Sequence, residues 1–584
     1  MGFKIAKMVR FVGLLCLLVF ISCGADKNEA SQKLAGIIQK VEDHQGFDKD
    51  EFPLGRFSGE YYAAEAAFAE EQLGRLDRLE QENLNETELI SYELLLFELQ
   101  RRIDFNRFQM YLNPILSDAG FHSNLVYLVK PLDNYDQTKT YLNKLNDIPR
   151  FVDEHFTILK EGLEKGVSQP KIIFEGYESS YDTHITVHFE DSYFYKPFKQ
   201  LPSDLNERQK DSVLAEAKKS IENNVVPQFK RIKEFFEQTY YPNTRTTIGI
   251  SETPGGKEYY QNRINYYTTS EEYTAADIHE IGLKEVSRIR REMEEVISDL
   301  NFEGSFADFF EFLRTDDQFY ANTPEELMMI ARDMAKRADA QLPRFFITLP
   351  RKPYGVARVP EAIAPKYTGG RYVGTEKNSS DPGYYWVNTY DLKSRTLYTL
   401  PALTVHEAVP GHHLQISLNK ELGDSIPAFR KELYLSAYGE GWGLYSEFLA
   451  AEMGMYTSPY ERFGQLTYEM WRACRLVVDT GIHAMGWTRE EVLAFMSENT
   501  ALSLHEITTE TDRYISWPGQ ALSYKIGELK IRELRTKAEA SLGTGFDIRE
   551  FHEVILEQGT VTLPILERRI NQYIEQKSNG KKYL

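Results

Sequence analysis

The strongest chemical signal in this chain is the segment His406-Glu407-Ala408-Val409-Pro410-Gly411-His412-His413. It holds three of the 12 histidines, with a glutamate directly after the first. Neutral imidazoles bind zinc, and an adjacent carboxylate is the base that a zinc hydrolase needs. On an unbroken helix His406 and His412 would lie about 9 Å apart along the axis, too far to share one ion. Because Pro410-Gly411 is the pair most able to break a helix, we predict a zinc-binding helix with a kink.

A third ligand is expected from an acidic segment later in the chain, Tyr438 to Glu447. Two histidines and one carboxylate are a common ligand set of catalytic zinc. Glu440 and Glu447 are seven residues apart, which places both on nearly the same face of a helix. We expect Glu440 to bind the metal and Glu447 to support a histidine ring, and the reverse assignment stays open. Elsewhere, the His-Glu pairs at 279–280 and 505–506 have no second histidine nearby, so ordinary helix residues are expected there.

Five segments of the chain form a recognisable set of motifs. They are Ile278–Val286, His406–Gln415, Glu440–Glu447, Val478–His483 and Arg513–Lys525. In this order they resemble the motifs of the DUF885 family of bacterial proteins. The resemblance extends over roughly the second half of the chain, with weaker helical similarity before it. The chain is therefore identified as a member of that family.

More distantly, the chain is similar to helical zinc peptidases of the thimet oligopeptidase, angiotensin-converting enzyme and Taq carboxypeptidase families. This resemblance implies a mainly α, two-lobed metallopeptidase-like fold with a central cleft and a few short strands. The second histidine of those families usually follows a glycine, which makes His412 the implied ligand and leaves His413 as the alternative. Their third ligand is a glutamate on the following helix, and Glu440 matches it.

The same resemblance implies zinc-dependent hydrolysis of peptides. Glu407 is expected to accept the proton of the attacking water and to pass it to the leaving amine. The reaction develops an oxyanion, which requires a hydrogen-bond donor opposite the metal. Because related peptidases use tyrosines of a late helix for this purpose, Tyr524 is the first choice and Tyr514 the second.

Three further side chains are candidates for substrate contact. His483 is expected either to donate to the substrate, oriented by Asp479 one helical turn earlier, or to form a structural pair with it. Arg513 offers a planar fork to a peptide carboxylate, with an ion pair to a neighbouring acid as the alternative. Asn388 both donates and accepts, so it suits either a substrate backbone amide or the capping of a turn.

The N-terminus has the pattern of an exported bacterial lipoprotein. Basic residues precede an apolar run from Phe11 to Ile21, which is too short for a comfortable membrane span and fits a signal peptide over residues 1–22. The ending Phe-Ile-Ser-Cys-Gly resembles a lipobox, so we expect lipidation of Cys23 and a tether over residues 23–50. The protein would then be anchored in the envelope and face the periplasm or the cell surface. A signal that is not lipidated, or an uncleaved anchor, is the alternative.

Composition excludes several classes of partner. Only three cysteines occur, and two of them lie at the N-terminus, so no disulfide framework is expected. The formal net charge of −20 disfavours nucleic acid and anionic headgroups, so membrane contact is expected only through the lipid anchor. No phosphate-binding loop and no dinucleotide glycine pattern occurs, so zinc is expected as the cofactor and a nucleotide is not.

The spacing of apolar residues predicts helix over most of the chain. The clearest predicted helices are Leu89–Met110, Ser212–Tyr240, Thr274–Leu300 and Pro324–Ala340. Alternating runs predict strands over His184–Phe189 and Tyr384–Asn388, and Ala364–Thr389 reads otherwise as an irregular functional loop. We expect one catalytic unit, with an N-terminal helical lobe over residues 51–242 and a metal-site lobe over residues 243–584.

Three functions fit these features. The first is a zinc metallopeptidase that hydrolyses peptides in a helical cleft. The second is a metal-dependent hydrolase of non-peptide amides or esters, because a fold does not fix a substrate. The third is an inactive, lipid-anchored peptide-binding module. The presence of His406, Glu407, His412 and Glu440 together argues against the third, since a decayed site is expected to lose one of them.

Overall fold

The protein is mainly helical, as predicted. A computed structural model describes residues 28–361, 363–375 and 379–580, so the predicted signal peptide and Cys23 lie outside the described residues. The helices are α1 (28–42), α2 (Gly59–Leu76), α3 (Glu86–Arg107), α4 (Tyr135–Glu164), α5 (Ser179–Asp182), α6 (Glu207–Ser220), α7 (Val226–Phe235), α8 (Gly256–Thr268), α9 (Ala275–Asp299), α10 (Phe306–Thr315), α11 (Pro324–Phe345), α12 (Leu400–Glu407), α13 (His412–Lys420), α14 (Ala428–Glu432), α15 (Ser436–Glu452), α16 (Pro459–Met485), α17 (Arg489–Asn499), α18 (Leu504–Ser516), α19 (Ser523–Leu542), α20 (Ile548–Leu556) and α21 (Leu563–Ser578). Within the described ranges, none of these helices combines the length and apolar character that crossing a membrane requires.

The four clearest helix predictions are confirmed, and their starts have local causes. Asn85 and Glu88 form a reciprocal capping box at the start of α3, and Thr274 forms another with Asp277 at the start of α9. Helix α11 begins with a proline at its first position, where the missing N–H costs no hydrogen bond. The predicted helix 212–240 is continuous but contains two single turns of π-helix, at 221–225 and 236–240.

One small sheet lies between α11 and α12. Its strands are β1 (Tyr354–Arg358), β2 (Gly370–Val373) and β3 (Gly383–Val387), in the order β1-β3-β2. Strand β3 pairs parallel with β1 and antiparallel with β2. The strand predicted at 384–388 is confirmed, and β2 and β3 give order to much of the segment 364–389 that reads as irregular.

The strand predicted at His184–Phe189 is wrong. These residues form turns and bends between α5 and a single 3-10 turn. Alternation by itself does not supply a neighbouring strand, and an extended segment without one lacks partners for its backbone groups. Val187, one of the apolar residues of this alternation, is 93% exposed.

Two large hydrophobic cores organise the helices. The first joins α4, α6 and α7 to α9, α10, α16 and α17, and the second joins α3 and α8 to α11, α15 and α19–α21. Helices α9 and α16 contribute to both, because Ile278 and Leu476 face the second core whereas Ile289 and Val477 face the first. The cores therefore do not divide the chain at residue 242, where the sequence suggested a boundary between lobes.

A third, smaller core changes the interpretation of the predicted tether. Leu34, Ile37, Ile38 and Val41 of α1 are buried with side chains of α2 and α3. Their spacing of three and four residues forms one apolar face of a helix. Residues 28–42 are thus a packed helix of the folded unit, and the predicted tether does not extend through them.

Candidate metal centre

The predicted kink of the zinc-binding helix is present. Helix α12 ends at Glu407 and α13 begins at His412, and the four residues between them break the helix. The N–H of Gly411 donates to the carbonyl of Val405 at 2.9 Å, which turns the chain back on itself. Only glycine fits there, since an added Cβ would lie 1.9 Å from the carbonyl oxygen of His406. The turn brings the rings of His406 and His412 to a centroid distance of 4.8 Å.

Helix α15 supplies the third member of the cluster. Glu440 Oε2 lies 3.5 Å from His406 Nε2 and 3.4 Å from His412 Nε2, and the three ligand atoms all lie within 4.8 Å of one another. In a tetrahedral zinc site with bonds of about 2.0–2.1 Å, neighbouring ligand atoms are about 3.3 Å apart. The donor types and their separations therefore fit one zinc ion.

The two alternative ligands have other partners. Glu447 is fully buried, and its Oε1 accepts a hydrogen bond from His406 Nδ1 at 2.8 Å. His413 Nδ1 lies 3.0 Å from the hydroxyl of Tyr372 and is not part of the cluster. Glu447 thus orients the ring of His406 and fixes its tautomer, which leaves Nε2 as the nitrogen that could bind a metal.

The charges of the cluster favour a cation. Burial by itself lowers the pKa of His406, but the carboxylates of Glu440 and Glu447 raise it to about 10. Burial opposes ionisation of Glu440, yet His412 and His406 hold the pKa of its carboxyl well below its ordinary value. Two carboxylates around buried imidazoles form a site that stabilises positive charge, whether carried by protons or by a metal ion.

A close approach between α12 and α15 sets the geometry of the cluster. The ring of His406 lies against Gly443, where an added Cβ would be 2.7 Å from the nearest ring atom. The indole Nε1 of Trp442 donates to the carbonyl of Pro410 at 2.8 Å, which links α15 to the break between α12 and α13. The small residue and the indole together hold Glu440 beside the two histidines.

Glu407 faces the same cavity as the cluster. The cavity has a volume of about 560 Å³, and His406, His412 and Glu440 line it together with Glu407. The backbone N–H of Tyr372 in strand β2 donates to Glu407 Oε2 at 2.7 Å. The small sheet therefore positions the carboxylate that the sequence assigned as the base.

The two tyrosines proposed as oxyanion donors have different surroundings. Tyr524, near the start of α19, lines the cavity and lies 4.5 Å from the guanidinium of Arg475, measured to the ring centroid. The hydroxyl of Tyr514 accepts from Trp471 and Arg475 and donates to Glu510, at 2.9 to 3.0 Å. Tyr514 is a buried structural residue, so only Tyr524 retains the proposed role.

His483 is also structural. The N–H of Ile250 donates to its Nδ1 at 3.2 Å, and its Nε2 donates to the carbonyl of Tyr514 at 2.9 Å. Asp479 binds Tyr260 and the N–H of Gly519 instead. Both ring nitrogens of His483 are used, so neither the substrate role nor the pairing with Asp479 holds.

Asn388 organises the loop before the metal helices. Its Nδ2 donates to the carbonyls of Ala364 and Tyr367 at 2.9 Å, and its Oδ1 accepts from the N–H of Tyr390 at 3.0 Å. The side chain is fully buried. Its hydrogen-bonding groups bind the protein itself, which corrects the prediction that it binds a substrate amide in favour of the turn-capping alternative.

Arg513 lines the cavity, but its fork is already engaged. One nitrogen lies 3.2 Å from Glu510 and another donates to Gln520 at 2.6 Å. The ion pair with a neighbouring acid was the alternative to carboxylate binding, and it is the arrangement observed.

The comparison with known proteins identifies the family. The sequence pattern of DUF885, a bacterial protein family of unknown function, matches residues 41–570. The chain belongs to the DUF885 family. A protein from Colwellia psychrerythraea described as a lipoprotein is 27% identical, with a TM-score of 0.84 over 94% of this chain and 99% of that one. Another, from Shewanella oneidensis and of unknown function, is 18% identical with a TM-score of 0.67 over 94% and 98%, which shows the fold alone. No curated protein matches the chain.

Several cavity residues of this DUF885 protein carried no local sequence signal. The hydroxyl of Tyr434 donates to Glu440 Oε1 at 2.8 Å, and Arg395, Arg472 and Arg475 line the cavity beside the metal cluster. None of them belongs to a spacing pattern that indicates a site. Only the fold brings them to the histidines.

Proposed function

We propose that this DUF885 protein is a zinc-dependent metallopeptidase that hydrolyses peptides in the cavity beside α12. The observation that carries the proposal is the placement of a three-ligand cluster and a glutamate base on one cavity wall. When bound by His406, His412 and Glu440, zinc lowers the pKa of water and polarises a carbonyl group.

The protein side chains supply the proton transfers and the charge stabilisation. Glu407, held by the N–H of Tyr372, accepts the proton of the attacking water and delivers it to the leaving amine. Tyr524, which lines the same cavity, donates a hydrogen bond to the oxyanion. Glu447 keeps the ring of His406 in the tautomer that presents Nε2.

A peptide is the substrate class that the cavity favours. Its volume of about 560 Å³ falls within the usual range of about 300–1,000 Å³ for small-ligand sites. Tyrosine side chains line it, and these combine an apolar ring with a hydroxyl that pairs with backbone amides.

We also propose that the protein is an exported lipoprotein anchored through Cys23. The lipobox-like sequence at its N-terminus supports this, and so does the relative from Colwellia psychrerythraea, which is described as a lipoprotein. The packed helix α1 begins within a few residues of the anchor, so the folded unit would lie close to the membrane surface.

The purified chain is expected to carry about one zinc ion and to cleave short peptides. Elemental mass spectrometry measures the metal, and a peptide mixture read by mass spectrometry measures cleavage. Chelation is expected to abolish cleavage, and added zinc to restore it. Cleavage that survives complete removal of metal would contradict the proposal. So would a protein that hydrolyses simple amides or esters but cleaves no peptide.

A matched pair of neighbouring histidines controls this experiment. His412→Ala removes a ligand and is expected to lose both zinc and cleavage, whereas His413→Ala keeps the zinc. Both residues are buried on α13, so a general destabilisation caused by truncating a buried side chain would appear in both variants. Equal loss of zinc in the two variants would mean that His412 is not the specific ligand that the proposal requires.

A further inference from the structure

The cavity is rich in cationic side chains although the protein is acidic. Seven arginine or lysine side chains line it against five aspartates or glutamates, whereas the whole chain has a formal net charge of −20. Two of those five acids belong to the metal cluster and its base. The wall beyond the metal therefore presents a concentrated positive charge to whatever enters.

Three of these residues form an arginine cluster: Arg395, Arg472 and Arg475. Arg472 and Arg475 are 6% and 2% exposed, yet Arg472 Nε and Arg475 Nη1 have no hydrogen-bond partner among the described residues. Arg395 Nε is likewise without a partner there, and no described residue forms an ion pair with Arg395. Leaving a buried charged donor unsatisfied is costly, so guanidinium nitrogens without partners around a cavity indicate a ligand.

The acids nearby do not account for these groups. Glu510 pairs with Arg475 at 3.1 Å and with Arg513 at 3.2 Å, so one carboxylate is shared between two arginines. Glu506 lines the same wall but forms no ion pair within the described part of the chain. The cluster thus keeps donors and positive charge that the protein itself does not neutralise.

The cluster adjoins the metal centre. Arg472 Nη2 lies 3.8 Å from Glu447 Oε1, which in turn binds the ligand His406. The guanidinium groups of Arg472 and Arg475 lie 5.9 and 4.5 Å from the ring centroid of Tyr524. One peptide residue spans about 3.5 Å, so a group one or two residues from a carbonyl at the metal reaches this wall.

We propose that the arginine cluster binds a carboxylate of the substrate close to the bond that is cleaved. A carboxylate offers two oxygens in one plane, and a guanidinium matches it with two parallel donors. The ring of Trp471 lies 4.6 Å from the guanidinium of Arg472 and 4.3 Å from that of Arg475, which holds both groups in place. The proposal rests on the peptidase function and specifies its substrate: a peptide with an anionic group next to the scissile amide.

Three versions of one short peptide test this selectivity. The first has a free C-terminal carboxylate, the second a C-terminal amide, and the third an amide with aspartate as its last residue. We expect kcat/KM to be about tenfold or more higher for the first or third peptide than for the second. Preference for the first assigns the site to the C-terminal carboxylate, and preference for the third assigns it to a side chain. Equal cleavage of all three would overturn the proposal.

Variants of the cluster link the preference to these residues. Arg395→Met removes a guanidinium group that holds no structural ion pair, and Arg475→Met removes a buried guanidinium group. In both variants we expect the ratio of kcat/KM for the carboxylate peptide to that for the amide peptide to fall toward one. Arg489→Met is the matched control, because Arg489 pairs with Asp512 away from the cavity. It is expected to keep the full preference. A preference unchanged in Arg395→Met, the variant safer to fold, would contradict the assignment.

A binding measurement separates this proposal from the peptidase function. The zinc-loaded Glu407→Gln variant is titrated with the same three peptides by calorimetry. Tighter binding of a carboxylate peptide with no cleavage by the wild-type protein would retain the arginine site and reject the peptidase. Cleavage without any difference in binding or in kcat/KM would retain the peptidase and reject the arginine site.

The carboxylate preference is expected to fall as pH rises through neutrality. Burial and the neighbouring Glu510 raise the pKa of Glu506 to about 7, although Arg395, Arg472 and Arg475 lower it. Below that pH the neutral carboxyl leaves the cluster fully cationic, and above it the ionised group competes with the substrate. We expect the ratio of kcat/KM for acid and amide peptides to fall several-fold from about pH 6 to about pH 8, and Glu506→Gln to abolish this fall. The same pH dependence of this ratio in the wild-type protein and in Glu506→Gln would contradict the role of Glu506.

Discussion

Replacing Glu407 by glutamine is expected to lower kcat by about 10²–10⁴-fold while the zinc content stays unchanged. Glutamine has the same shape, and its carbonyl oxygen still accepts the hydrogen bond from the N–H of Tyr372. It cannot take up the proton of water at neutral pH, so the proton transfers fail while the site remains assembled. Steady-state kinetics on a cleaved peptide and elemental analysis of the same sample measure both quantities.

Glu447→Gln is the matched control. It makes the same chemical change at a residue that contacts His406 and not the reacting groups. Its amide loses the charge that supports His406, and such supporting residues change metal affinity by about 10–100-fold. We expect zinc to be lost more easily from this variant, with turnover restored by excess zinc. Excess zinc is not expected to restore the turnover of Glu407→Gln. A wild-type kcat in Glu407→Gln would exclude Glu407 as the base.

The helices were predictable because their signals are local. The capping pair Asn85 and Glu88 and the proline at the start of α11 lie within one turn of the residues they affect. Helix α1 was missed because a polar composition concealed a face of four apolar residues, whose burial depends on α2 and α3. The alternating apolar and polar residues at 184–189 gave a false strand prediction for the opposite reason. The local pattern was present, but these residues form turns and bends and pair with no strand.

The cluster of His406, His412 and Glu440 was predictable to the extent that its residues are close in sequence. Pro410-Gly411 indicated the break that brings His406 and His412 together, and the face shared by Glu440 and Glu447 indicated a ligand with its support. The roles of Tyr514 and His483 were wrong because a motif does not reveal which partners a side chain has already bound. Their partners come from α16 and from residues more than two hundred positions earlier.

The cavity wall was beyond the reach of local patterns. Arg395 lies before α12 and Arg472 and Arg475 lie on α16, so their proximity is a property of the tertiary fold. A sequence reveals that a chain has an excess of acids, but the sign of the charge inside one cavity depends on which side chains face it. The guanidinium of Arg513, predicted to bind a peptide carboxylate, is engaged by Glu510 and Gln520, and only the tertiary fold shows which other arginines line the same cavity.

Replacing Gly411 by alanine is expected to abolish zinc binding. The backbone angles of Gly411 are not in the left-handed region, so the obstacle is space: the added Cβ would lie 1.9 Å from the carbonyl oxygen of His406 and 2.5 Å from that of Val405. Neither backbone atom can move without moving the ligand His406 or displacing His412. Crowding of this kind typically costs about 1–3 kcal/mol of stability. Elemental analysis and the thermal midpoint Tm measure the two effects.

Gly423→Ala provides the comparison for this change, because it adds the same methyl group in the loop after α13. The nearest atom to that Cβ would be the hydroxyl oxygen of Ser425 at 4.0 Å, so we expect normal zinc content and an unchanged Tm. If Gly411→Ala kept one zinc per chain and the wild-type Tm, the close turn between α12 and α13 would not be what places His412 beside His406. Loss of zinc with far-ultraviolet circular dichroism intact would show that the turn acts on the metal site within a folded protein. That result would tie the break at Pro410-Gly411 to the placement of His412 beside His406.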